Sequence, residues 1–254
     1  PRKLGQDVGH HAGCAPDGLG TVTVQDQNDG PTAAPEFETL RFRDVRFRYA
    51  EDAPDILRGV DFELRRGETL AIVGATGSGK STVVRLLTRE YSGARGQIVL
   101  NGQPLQGFDR ETLGRMISVV HQGVFLFHGS VAFNIGLDRP GIDRRAIERA
   151  ADYVSASEFI DRLDGRFDFV VQHGGTNLSA GQCQLISFAR AVAAQTDLIV
   201  LDEATSSVDS LTEHLIEQAL ARLYEDKTVI AIAHRLSTIR NADKILVMDA
   251  GQVV

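Results

Sequence analysis

The chain has 254 residues, 34 acidic against 27 basic side chains for a net charge of −7, and 43% hydrophobic residues, which is the composition of an ordinary globular protein with a sizeable core. The acidic balance and the lack of a Lys/Arg stripe argue against nucleic acid as a partner, because phosphate backbones call for clustered positive charge. The two cysteines, Cys14 and Cys183, have no metal-type spacing and suggest no disulfide framework, which points to a reducing compartment, and no apolar run approaches the roughly 18 residues of a bilayer span.

No secretory signal is visible, and the opening on Pro1 with an abrupt end at Val254 suggests a piece of something longer. Residues 1–36 are rich in Gly, Asp, Gln, Pro and Thr with little apolar periodicity, and are expected to form a linker or tail. His10-His11 lack the further ligands a metal site needs. From Leu40 the pattern becomes alternating, Leu40-x-Phe42 and then Val45-x-Phe47-x-Tyr49, with the phase slipping at Asp44. That slip predicts antiparallel strands with a bulge or tight turn. Ile56 to Leu64, and Gly96 to Leu100 before the Asn101-Gly102 turn signal, extend the same β layer. Tyr49 reads either as a strand surface residue or as an exposed ring able to stack on a purine base.

The organising stretch is Gly74-Ala75-Thr76-Gly77-Ser78-Gly79-Lys80-Ser81-Thr82, which fills every place of the G-x-x-x-x-G-K-[ST] phosphate-binding pattern. The apolar run Leu70 to Val73 before it predicts a buried strand, and Ser81 to Leu87 after it a helix. The loop therefore opens a helix N-terminus, where unpaired N–H groups and the helix dipole converge on an anion and glycines let the backbone approach closely. Lys80 supplies a point charge to the β- and γ-phosphates, and Ser81 a hydroxyl to a bridging Mg²⁺. These residues predict a bound nucleoside triphosphate.

Arg110 to about Ala194 loses strand alternation and takes helical spacing, as in Ile142-Arg145-Ala146-Ala150-Ala151, and reads as a helical insert. Strand patterns return at Leu198 to Leu201, Thr228 to Ala233 and Ile245 to Met248, with an amphipathic helix over Thr212 to Leu223, so a mainly parallel sheet is expected. The first of these strands ends in Asp202-Glu203. Two acids at a strand's C-terminal edge suit a Mg²⁺ shell at Asp202 and a base for the attacking water at Glu203, against the plainer reading of a helix-capping charge pair. His234 ends the next strand and could bond the γ-phosphate or be structural.

Taken together, these residues resemble the nucleotide-binding domains of ATP-binding cassette (ABC) transporters over most of Leu40 to Val254. The most specific string is Leu178-Ser179-Ala180-Gly181-Gln182, similar to the family signature that caps ATP from the opposite subunit through Ser179, Gly181 and Gln182. The resemblance implies that Tyr49 is the base-stacking aromatic, and that Gln122 is the loop glutamine meeting Mg²⁺ and the membrane domain. It likewise makes Asp202 and Glu203 the magnesium and hydrolysis acids, Ser206 to Asp209 the interface-crossing loop, and His234 the switch histidine. The wording around Asp202 to Asp209 and Ala233 to Thr238 is close to exporter usage. Two departures stand out: Ala180 replaces the usual signature glycine, and Gln172-His173 replace a common Gly-Glu. Ala180 keeps its N–H but adds a methyl.

The implied fold is α/β, a P-loop NTPase with a RecA-like, mainly parallel core (37–121 and 195–254), an antiparallel β subdomain and a helical subdomain (122–194). The implied cofactors are ATP and Mg²⁺. The implied partners are an exporter's transmembrane domain and a second nucleotide-binding domain, on the cytoplasmic face of a membrane. Soluble ABC ATPases of chromosome maintenance, DNA repair or the ribosome are the alternative. The first two would insert a long coiled coil before the signature, where no sustained heptads occur, and the last would carry two cassettes.

Overall fold

The computed structural model describes residues 36–121, 123–202, 210–233 and 239–254. The expected tail, with Cys14 and the paired histidines, lies outside them. The chain starts with an antiparallel pair, β1 (Thr39–Phe47) and β2 (Leu57–Arg65), and continues into β3 (Thr69–Val73), the phosphate-loop segment and α1 (Lys80–Leu87). The hairpin of β4 (Arg95–Leu100) and β5 (Gln103–Pro104) turns through Asn101 and Gly102, both with positive φ as the dipeptide predicts. It completes a four-stranded sheet in the order β2-β1-β4-β5.

The phase slip at Asp44 proves to be a β-bulge inside a single strand. Asp44 has φ 43°, and the pairing jumps from Phe42↔Phe62 to Val45↔Val60. One extra residue returns the side-chain alternation to register, so Leu40, Phe42, Val45 and Phe47 all stay buried. Room for the bulge comes from glycines on both neighbouring strands. A Cβ on Gly59 would lie 2.8 Å from Asp44 Oδ1, and one on Gly96 would lie 2.2 Å from the Asp44 carbonyl oxygen.

The region expected to be wholly helical also contains strands. After α2 (Arg110–Met116), β6 (Ile117–Val120) pairs with β9 (Leu198–Asp202) as the edge of the central sheet. Four residues are too few for periodicity to separate a buried strand from the end of a helix. The insert then holds α3 (Val131–Gly136), α4 (Arg144–Tyr153), α5 (Ser157–Ile160) and α6 (Ala180–Ala193), with β7 (Gly129–Ser130) and β8 (Val170–Val171) forming a two-stranded ribbon. The chain ends with α7 (Ser210–Asp226), β10 (Thr228–Ile232), β11 (Lys244–Asp249) and β12 (Gln252–Val253).

The six-stranded sheet runs β12-β11-β3-β10-β9-β6, with every pairing parallel except β11 with β12. Its central strands are apolar on both faces and divide two cores between them. Leu198, Val200, Ile230 and Ile232 join the cluster shared with α1 and the antiparallel sheet, while Ile199, Leu201, Val229 and Ala231 join the cluster built on α3, α4, α6 and α7. This is the period-two division expected of a parallel sheet covered on both sides.

Gly96→Ala should cost about 2–3 kcal/mol, since the methyl meets backbone at a positive φ, whereas Gly67→Ala, with a similar φ but open space, should cost about 1 kcal/mol. Denaturant midpoints at constant m-value would measure the difference.

Candidate nucleotide-binding site

Strands β3, β10 and β9 end together at one edge of the sheet. Ile72 pairs with Ile232, and Ile232 pairs with Asp202, so the chain leaves the sheet at the same level in all three. The phosphate loop follows β3 there, and Asp202 is the last residue of β9. An open α/β sheet places its ligand crevice at this position.

The loop curls from Gly74 (φ 151°) through Gly77 (φ 83°) to Gly79 (φ 104°), which occupies the N-cap of α1. Its ammonium group is aimed by the loop itself, because Lys80 Nζ donates to the carbonyls of Gly74 at 2.7 Å and Ala75 at 2.9 Å. Ser78 Oγ is buried and has no hydrogen-bond partner among the described residues, an orphan that a bound polar group would satisfy. A cavity of about 340 Å³ opens here, lined by Tyr49, Ile56, Thr76, Gly77, Gly79, Lys80, Ser81, Thr82, Asp202 and Ile232. It therefore combines glycine-rich backbone at a helix N-terminus, one lysine, a hydroxyl at Ser81 and a carboxylate at Asp202. That donor set fits a polyphosphate with a divalent cation.

Tyr49 stands two residues beyond β1, 42% exposed, at the mouth of this cavity. Its hydroxyl is 2.9 Å from Thr82 Oγ1, and its ring makes edge contacts with Phe47 and Tyr91 at 5.1 and 4.9 Å. These contacts fix the ring while leaving it accessible. Nothing in the residue pattern marks Ile56 and Ile232 as lining residues. Ile232 belongs to a strand that was predicted, but only the sheet register reveals that it ends beside the loop.

Ser179, Ala180, Gly181 and Gln182 form a separate feature and do not line this cavity. Ser179 caps α6: its Oγ accepts from the Gln182 N–H at 3.2 Å, and Gln182 Oε1 accepts from the Ser179 N–H at 2.9 Å. This reciprocal capping box leaves Ser179 and Ala180 exposed at the helix start. Cys183, one residue further on, is buried against the Gly175 carbonyl, and burial pushes its thiol pKa up, in keeping with a small packing residue. Gln122, Glu203, Ser206 to Asp209 and His234 lie outside the described residues.

Beyond Gln122 the run Val124 to Phe127 divides its side chains. Leu126 is fully buried, while Phe125 and Phe127 are 46% and 44% exposed and touch edge to face at 5.2 Å. Phe125 also meets His173 at 5.1 Å, and Val170 nearby in the sequence is exposed as well.

A doubly covered parallel sheet with a glycine-rich loop between β3 and α1, a strand-end acid and an antiparallel layer beside it defines a nucleotide-binding domain of the P-loop class. Comparison with known proteins narrows this: residues 57–206 match the family described as ABC transporter, and the chain belongs to that family. The ATP-dependent lipid A-core flippase of Chromohalobacter salexigens is 45% identical over 215 residues, covering 85% of this chain and 37% of the relative. The leukotoxin translocation ATP-binding protein LktB of Mannheimia glucosida is 41% identical over 230 residues, 90% of this chain and 32% of the relative. A bacterial Atm1-family ABC exporter solved with ATP bound superposes with a TM-score of 0.78 at 36% identity, covering 86% of this chain and 38% of that one. The chain thus spans about a third of the length of these relatives. It is an ATP-binding ATPase domain of the ABC transporter type.

Gly74→Ala should weaken ATP binding at least about tenfold, because the added methyl would lie 2.1 Å from the Met248 carbonyl oxygen and the loop could not keep its path. Isothermal titration of both forms with ATP tests this.

Proposed function

We propose that this chain is an ATP-hydrolysing domain of an ABC exporter, lying on the cytoplasmic face of a membrane and closing head to tail with a second cassette. The observation that carries the reading is the separation just described: one cavity gathers the phosphate loop, Tyr49 and Asp202, while the Ser179 to Gln182 cap sits elsewhere with its first residues open to solvent. A cap of that kind is available to the nucleotide of another domain. No helix among the described residues is long and apolar enough to cross a membrane, so the spans would lie in other segments or subunits.

In this reading Tyr49 stacks on the adenine, and the loop backbone with Lys80 holds the β- and γ-phosphates. Ser81, Asp202 and Gln122 would hold Mg²⁺, which supplies charge neutralisation across the phosphates. Glu203 takes the proton of the attacking water, and His234 bonds the γ-phosphate. Ser179, Gly181 and Gln182 contact the partner's ATP. Because contacts to the γ-phosphate exist only while ATP is intact, hydrolysis removes the differential affinity that keeps the pair closed. The exposed Phe125 and Phe127 supply an apolar contact for the membrane domain. The relatives are named for a lipid and for a toxin, so their similar ATPase parts serve unlike cargo.

Glu203→Gln should keep ATP affinity while slowing turnover at least ~100-fold, the scale of a lost general base, whereas Tyr49→Ala should lose about tenfold in affinity with little change in maximal rate. Wild-type turnover in the Gln variant would remove Glu203 from the role of base.

Ala180 adds a methyl at the exposed first position of α6, which favours pairing with a non-identical cassette whose own signature serves this chain's site. Sedimentation of the Glu203→Gln chain with ATP should show weak self-association that Ala180→Gly strengthens. Equally tight homodimers in both forms would overturn the unequal-partner reading.

A further inference from the structure

Three consecutive residues between β6 and α3 are held by their backbones at every position. The Phe125 carbonyl accepts from Arg190 Nη1 at 3.2 Å, and the Leu126 carbonyl from the Gly174 N–H at 2.8 Å. Phe127 is bonded at both ends by one side chain, its N–H donating to Asn134 Oδ1 at 2.8 Å and its carbonyl accepting from Asn134 Nδ2 at 2.9 Å. A strip that exposes two large aromatic side chains is thus fixed by its main chain.

The fixing groups belong to two helices. Asn134, on α3, is wholly buried and also donates to the Ser130 carbonyl at 3.1 Å. Arg190 lies in the last turn of α6, where its Nε donates to the Asn134 carbonyl at 2.8 Å while Nη2 stands 3.5 Å from Asn134 Oδ1. One guanidinium therefore ties α6 to α3 and to the strip. Among the described residues no carboxylate forms an ion pair with Arg190, and burial together with Arg139 pulls its pKa below the usual guanidinium range. A part-buried guanidinium is costly unless hydrogen-bonded, and these oxygen acceptors satisfy it.

The strip also meets the other end of α6. Leu126 packs on Gly175, where an added Cβ would come within 3.2 Å of Leu126 Cδ1 and 2.7 Å of Cys183 Sγ. Cys183 lies in the first turn of α6, immediately after the Ser179 to Gln182 cap. About 15 Å of unbroken helix separates Ala180 from Arg190, a rigid rod gripped near both ends by one loop.

We infer that Asn134 and Arg190 are positioning residues that join the Phe125 to Phe127 strip and the Ser179 to Gln182 cap into one rigid unit, so that displacement of either is carried to the other along α6. The inference rests on the reading of that cap as the segment offered to a partner's ATP.

The test is amide hydrogen exchange on the purified chain, following peptides over 123–128, over 173–183 and over β10, with and without Mg-ATP. In the wild-type chain ATP should slow exchange in both of the first two peptides. In Asn134→Ala and Arg190→Lys, exchange of 123–128 without nucleotide should rise about tenfold, that of 173–183 should rise with it, and β10 should be unchanged. ATP should then still slow 173–183 but no longer slow 123–128. Undiminished ATP protection of 123–128 in both variants overturns the inference. If Asn134→Ala loosens β10 as well, its packing has failed and Arg190→Lys alone decides. If ATP leaves 173–183 unaffected in the wild-type chain, the chain does not pair with itself under these conditions, as the unequal-partner reading allows. The nucleotide-free arm then decides the brace: unchanged exchange at 173–183 in the variants overturns it, and raised exchange supports it.

Discussion

The phosphate loop works only if its backbone is held where glycines can present N–H groups, and the constraint that achieves this is the turn between β11 and β12. The Gly251 N–H donates to the Ser78 carbonyl at 3.1 Å, and the Gly251 carbonyl accepts from the Arg58 N–H at 2.8 Å. One residue thus connects the loop to β2 of the antiparallel sheet. Ala250 and Gly251 both have positive φ, and a side chain at Gly251 would strike the Ile56 carbonyl at 2.2 Å. The same closeness recurs at Gly74, which abuts the Met248 carbonyl. The loop is therefore clamped between the two sheets before any ligand arrives, which is the preorganisation that anion binding and phosphoryl transfer require.

The parallel sheet acts as a partition. One face of β9 and β10 packs under the nucleotide-binding layer and the other under the helical layer, while the edge where they end beside β3 carries Asp202 and the phosphate loop. Any change in how the helices sit on their face bears on strands whose ends carry the chemistry. The strip at Phe125 to Phe127 and α6 belong to the helical side, and the cavity with Tyr49 to the other.

Much of this was legible in the residue pattern. The strand–loop–helix around Gly74 to Thr82, the bulge announced by the phase slip at Asp44, and the Asn101-Gly102 hairpin each rest on local rules that the fold obeys. What the pattern could not give was contact between distant segments. Nothing near Gly59 or Gly96 says that both make room for Asp44, and nothing near Ile56 says that it lines the cavity. β6 is hidden in the sequence because its four residues continue the apolar spacing of α2. Asn134 and Arg190 carry no local signal either, since their partners are main-chain groups of a loop 7 to 65 residues away.

The exposed aromatic strip has a kinetic consequence. Neither 121–137 nor 169–189 contains a single Asp, Glu, Lys or Arg, although the chain as a whole carries a net charge of −7. Apart from the Arg190 guanidinium tied to the strip, a surface formed by these segments carries no formal charge of its own to guide an approaching molecule, and an encounter there gains little from electrostatic steering. Association through Phe125, Phe127 and Val170 would depend on short-range apolar contact and be nearly indifferent to ionic strength. Such a face suits a partner that is tethered nearby rather than one captured by diffusion.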